Sequence, residues 1–217
     1  MPFDLPPVTR NLLIANVAIF LLQQVLGDVL IVHFALWPWG PDQVQPLPSG
    51  ELLSIGFRPW QLVTYAFMHG NTLHLFSNML ALFMFGGPIE RAFGARNFTL
   101  YYFVCLLVAA LAQLVVVNWF TGGFYPTLGA SGAIFGILLA FGMLFPYEKM
   151  MLIFLPIPIS AWIFVTLYAL AELYMGVTGT QAGIAHFAHL GGMLGGFLLI
   201  QYWRGKFPIK PRRRLQL

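Results

Sequence analysis

Apolar positions run along this chain in six blocks, at roughly 12–32, 73–85, 98–119, 131–145, 159–175 and 183–203, and clusters of Pro, Gly and charged residues separate them. A helix rising 1.5 Å per residue needs about 20 mostly apolar residues to cross the hydrocarbon core of a bilayer. The pattern therefore predicts an all-α, polytopic membrane protein: one domain over 1–217, six transmembrane helices and a basic tail at 204–217. The second and fourth blocks are short. Flanking residues such as Thr72 and Pro88, or Gly129 and Pro146, are expected to complete those crossings.

Composition agrees with the pattern. The chain is 59% hydrophobic and 8% charged, with a mean hydropathy of +0.79, whereas a soluble domain is roughly 25% charged. Ten of the eleven Lys and Arg fall before block one, between blocks two and three, between four and five, or in the tail; only Arg58 falls on the other side. The positive-inside rule then puts both termini in the cytoplasm, with a prokaryotic plasma membrane as the expected location. Arg10 precedes the first block and no small-residue cleavage site follows it, so that block reads as a retained span. The polybasic tail reads as an orientation signal and a contact for anionic lipid, and nucleic acid is not an expected partner. Cys105 has no second thiol and reads as a packing residue. The Pro- and Trp-rich stretch from His33 to Gln61 is expected at the outer interface.

Ionisable groups inside spans are costly and are functional candidates by default. Here they are His74, Glu172, His186 and His189, with Asn78 and Ser131 as uncharged companions. His74 and Asn78 stand one helical turn apart on one face of span two. Ser131 falls in the first turn of span four, near backbone N–H groups left free at a helix start. His189 lies six residues beyond Gly183, or about 9 Å down span six. Gly132, Gly136 and Ala140 on span four and His189, Gly192 and Gly196 on span six form small-residue faces that allow close approach. If those faces meet, Ser131 and His189 become a nucleophile and base within hydrogen-bond reach. Taken singly, each feature has a plainer reading: a close-packed bundle, a helix cap, or an interhelical hydrogen bond.

The ordered set of motifs resembles the rhomboid family of intramembrane serine proteases over nearly the whole chain. The pieces are His74-x-x-x-Asn78, Gly129-x-Ser131-Gly132, Ala188-His189-x-Gly191-Gly192, and the Gly86-Gly87-x-x-Glu90-Arg91 stretch that ends span two. The resemblance implies a six-span rhomboid bundle with Ser131 as nucleophile and His189 as general base. It also implies oxyanion donors from His74, Asn78 and the backbone N–H of Ser131, and supporting roles for Gly129, Gly132, Phe135 and Gly192. Two positions depart from the usual family pattern: Trp60-Gln61 stands where Trp-Arg is common, and Phe135 where Tyr is common. His69 and His186 also fall where relatives often carry histidine, and both read as structural or hydration-site residues.

A dyad is also favoured by the residues themselves, because no Asp lies in spans two to six and Glu172 is the only carboxylate well inside them. Glu172 could orient His189 as a third member. Its place inside span five favours a local structural hydrogen bond instead. The expected activity is hydrolysis of single-span membrane proteins near the outer face, at a helix-weakened site with a small residue before the cut, and without metal or organic cofactor. The loop Met175–Gln181, with Gly176 and Gly179, is expected to cap the site flexibly. Two other readings remain: a catalytically inactive relative that binds membrane clients, and a small transporter or channel. Internal repeats or paired broken helices would mark a transporter, and none is evident.

Overall fold

The computed structural model describes residues 5–46, 52–152, 155–179, 185–209 and 211. Six long helical segments dominate. Helix α1 (Pro7–Leu26) is followed by the short α2 (Asp28–Phe34), and α3 (Gln61–Thr64) leads into α4 (Thr72–Ala81) and α5 (Gly87–Phe93). Then come α6 (Ala95–Val116), α7 (Ser131–Leu144), α8 (Ala161–Thr178) and α9 (His186–Trp203). By length and composition Pro7–Leu26, Thr72–Phe93, Ala95–Thr121 and Ala161–Thr178 suffice to cross a membrane, and Ser131–Leu144 is a shorter apolar helix.

Several boundaries differ from the sequence reading for identifiable reasons. The first block is broken at Gly27, whose φ of 56° stops α1. Block two runs on past Pro88 to Phe93: a π-helical turn at Leu82–Gly86 precedes the proline and absorbs its missing N–H. A second π turn, Val117–Thr121, extends α6. Two antiparallel hairpins also appear, β1 (Gln43–Pro46) with β2 (Leu52–Ile55) and β3 (Lys149–Leu152) with β4 (Leu155–Ser160). Helix α8 continues to Thr178, so Met175 to Thr178 are helical rather than loop; 180–184, with the expected start of span six at Gly183, lie outside the described residues. So do the tail residues Lys210 and Arg212 to Arg214.

The core is the packing of α6, α7 and α9. Glycines on two faces of α9 explain why it fits between the other two. A Cβ on Gly191 would lie 2.5 Å from Ala112 Cβ, and one on Gly195 would lie 2.8 Å from Val108 Cβ, both on α6. About 100° further round the helix, a Cβ on Gly192 would overlap the Gly132 carbonyl of α7. Such backbone contact is how membrane helices gain packing energy without a hydrophobic drive. Helix α1 is tied on differently. Its first turn has no side-chain cap of its own, and Glu90 of α5 instead accepts from Val8 N (3.0 Å), Thr9 N (2.7 Å) and Thr9 Oγ1 (2.8 Å). In the segment between α2 and α3, buried Gln61 gathers the loop. Its Oε1 accepts from Trp37 N and Arg58 N, and its Nε2 donates to the carbonyls of His33 and Gly56.

Candidate active site

Ser131 is the first residue of α7, and the chain reaches it through a loop held at two points. Thr127 and Leu36 exchange backbone hydrogen bonds, and Gly129 N donates to the Tyr65 carbonyl at 2.9 Å. Gly129 has φ +120°, and a Cβ there would meet His74 Cε1 and Nε2 at 2.8 Å. Glycine is needed at 129 for the turn and for the imidazole that covers it.

His189 sits in the first turn of α9, because the helix begins at His186 rather than near Gly183. Its Nε2 is 2.8 Å from Ser131 Oγ. The ring stacks on Phe135 of α7 with centroids 4.2 Å apart and planes within 6°. Phe135 also packs on Tyr168 of α8. The structure thus brings Ser131, His189, Phe135 and the Gly132–Gly192 contact together.

His74 and Asn78 approach from α4. Asn71 caps that helix by accepting from His74 N at 2.8 Å. Gly70 N lies 3.4 Å from His74 Nδ1 in donor geometry, which leaves Nε2 as the protonated nitrogen of a neutral ring. Asn78 is buried and its Nδ2 donates to the His74 carbonyl at 2.9 Å. That bond uses one of two amide hydrogens. His69 packs edge-on against His74, and its backbone N–H and carbonyl pair with the Gln23 side chain of α1.

An open cavity of about 1100 Å³ joins these groups. Its lining includes His74, Asn78, Ser131 and His189 with the apolar Leu73, Phe164 and Phe187.

Glu172, expected to make a local structural hydrogen bond, has its partners on α9. Glu172 is 3% exposed, and its Oε2 lies 2.8 Å from His189 Nδ1 and 2.7 Å from His186 Nδ1. His186 and His189 are three residues apart and share a face of α9. Two ionisable groups at that spacing, opposite the one carboxylate inside the spans, were the available signal. These three groups have metal-ligating atoms within 4.8 Å of one another. Two ligands held at about 2.0–2.2 Å by a tetrahedral ion stand about 3.3 Å apart, so the observed separations are those of hydrogen bonds.

Residues 56–205 match the family model for the rhomboid domain. Among curated proteins, the chain is 34% identical over 163 residues to "Rhomboid protein 1, mitochondrial" of Saccharomyces cerevisiae, covering 71% of this chain and 45% of that protein. It is 27% identical over 198 residues to "Rhomboid protease GlpG" of Serratia proteamaculans, covering 91% of this chain and 62% of the relative. It is likewise 27% identical over 132 residues to the protein of that name in Klebsiella pneumoniae, covering 61% and 41%. The chain thus spans less than two thirds of the length of these relatives.

Proposed function

The chain belongs to the rhomboid family, and from that premise we propose that it is an intramembrane serine endopeptidase working through Ser131 and His189. The observation that carries the reading is the 2.8 Å contact between Ser131 Oγ and His189 Nε2, at the floor of a cavity inside an apolar bundle. Ser131 Oγ attacks the scissile carbonyl while its proton passes to His189 Nε2. The C–N bond then breaks, and the same proton goes to the departing amine. Water, activated by His189, hydrolyses the resulting acyl ester and frees Ser131.

The developing oxyanion needs donors. The backbone N–H of Ser131 at the start of α7, His74 Nε2–H and the second Asn78 amide hydrogen are the candidates, each worth about 10²–10³ in turnover at comparable sites. The substrates are single-span membrane proteins, cut near the outer face. A hydrogen-bonded transmembrane helix presents no accessible carbonyl, so helix-weakening residues near the cut favour cleavage. No metal or organic cofactor enters any step. Both termini are cytoplasmic in this reading, as the charge distribution favours, and the bilayer is a prokaryotic plasma membrane.

The test is cleavage of a fluorogenic single-span substrate by purified protein in detergent or liposomes, with Ser131→Ala and His189→Ala alongside. Loss of cleavage in both variants is the expected outcome. A wild-type protein silent across a diverse substrate panel would instead favour the inactive, client-binding reading.

A further inference from the structure

The stack of Phe135 on His189 sets the plane of the imidazole but not which way round the ring sits in that plane. Turning the ring by 180° leaves the stacking almost unchanged, yet it withdraws Nε2 from Ser131. A second contact must decide the orientation, and only a directional one will do.

Glu172 supplies it. For Nε2 to accept the Ser131 proton, a neutral His189 must carry its own proton on Nδ1. That nitrogen lies 2.8 Å from Glu172 Oε2, and an ionised carboxylate only accepts. His186 Nδ1–H meets the same oxygen at 2.7 Å, so the carboxylate is held in place from the other side. The three side chains are buried, where charge-assisted hydrogen bonds are strongest.

We infer that Glu172 is a positioning residue for His189: it selects the Nδ1–H tautomer, fixes the ring orientation that aims Nε2 at Ser131, and stabilises the imidazolium formed when Ser131 gives up its proton. Helix α8 thereby completes a Ser131–His189–Glu172 relay, with His186 anchoring the carboxylate. The inference rests on the hydrolase reading above, because the orientation matters only if Nε2 takes a proton.

The experiment uses the purified full chain in detergent micelles with a fluorogenic single-span substrate, comparing wild type, Glu172→Gln, Ser131→Ala and His189→Ala. Removing the charge of the third member in soluble triads costs about 10⁴ in turnover. Here the Gln carbonyl still accepts and Phe135 still holds the ring plane, so the expected fall in kcat is about 10²-fold. KM should stay within about twofold, since the substrate does not touch Glu172. In protein labelled with ¹⁵N-histidine, wild type should show the Nδ1-protonated tautomer at His189, assigned with His189→Ala. A strongly downfield Nδ1–H resonance should accompany it and disappear in Glu172→Gln.

A kcat for Glu172→Gln within about threefold of wild type overturns the inference, as does a defect confined to KM. So does an Nε2-protonated His189 in wild type, a measurement that needs no folded Glu172 variant. Cleavage by Ser131→Ala at the wild-type rate would instead overturn the reading of Ser131 as nucleophile, and a silent wild type would overturn the hydrolase reading itself.

Discussion

At Gly192 the helices that carry Ser131 and His189 touch backbone to backbone, so the smallest possible addition there tests whether their spacing controls turnover. In Gly192→Ala, the new Cβ would overlap the Gly132 carbonyl oxygen and lie 2.7 Å from its carbon, where ordinary contact begins at 3.4 Å. Helix α9 cannot shift sideways freely, because about 100° round its axis Gly191 packs on α6 with no room for even a Cβ between it and Ala112. The strain falls on the α7–α9 spacing, which the overlap with the oxygen forces open by about 1.5 Å. Carried to the site, that displacement stretches the 2.8 Å Oγ–Nε2 contact to beyond about 4 Å, outside hydrogen-bond range. A misplacement near 1 Å already costs about 10² in rate, and overpacking costs about 1–3 kcal/mol of stability. The expected result is a kcat lowered by about 100-fold or more in a variant that still folds, measured by steady-state cleavage with a thermal-unfolding control. Leu194→Ala, at an exposed position on α9, should leave kcat near wild type. A folded Gly192→Ala protein with kcat within twofold of wild type would refute the claim that this contact sets the catalytic distance.

Other outcomes follow from the same structure. Asn78→Ala should lower kcat by about 10² with little change in KM, and an unchanged kcat removes Asn78 from the oxyanion site. Glu90→Ala strips three hydrogen bonds from the start of α1 and should cost about 3 kcal/mol in a denaturant titration of the detergent-solubilised protein. Beside the β1–β2 hairpin, Arg58 binds Asp42 through both guanidinium nitrogens at 3.0 and 2.5 Å and Ser54 adds a third bond, which together hold the Asp42 carboxyl down at about 2 rather than its usual 3.8. A depressed carboxyl favours the folded hairpin above its unfolded value and loses that advantage as pH falls from about 3.8 through about 2. Titration of Asp42 by NMR should show a midpoint near 2 that moves up in Arg58→Ala.

How much of this was legible beforehand depends on which physical signal each element leaves. The long helices were visible because a bilayer demands unbroken apolar length, and the approach of Ser131 to His189 because small residues recur at helical spacing on two spans. The hairpins were not. In β3–β4 the residues are nearly all apolar and continuous with block five, so period-two alternation is drowned by the membrane-like run. The π turn before Pro88 was hidden for a related reason: proline normally ends a helix, and composition carries no mark of a backbone that absorbs it.

Depth counting also misled the assignment of Glu172, and the reason bears on why His186 is present. Glu172 stands three residues from the end of block five, 159–175, whereas a start at Gly183 puts His189 about 9 Å down its own span. With α9 starting at His186 and α8 running to Thr178, Glu172 is six residues from the C-terminal end of its helix and His189 three from the start of the next. Chain reversal between them brings these positions to one level. An ionised carboxylate buried there loses its hydration and must be repaid by donors. One imidazole N–H is a thin substitute for that hydration, and two from adjacent turns of a single helix are better. His186 therefore allows the acid to remain charged beside His189, which ties what looked like a separate hydration-site histidine to the same relay.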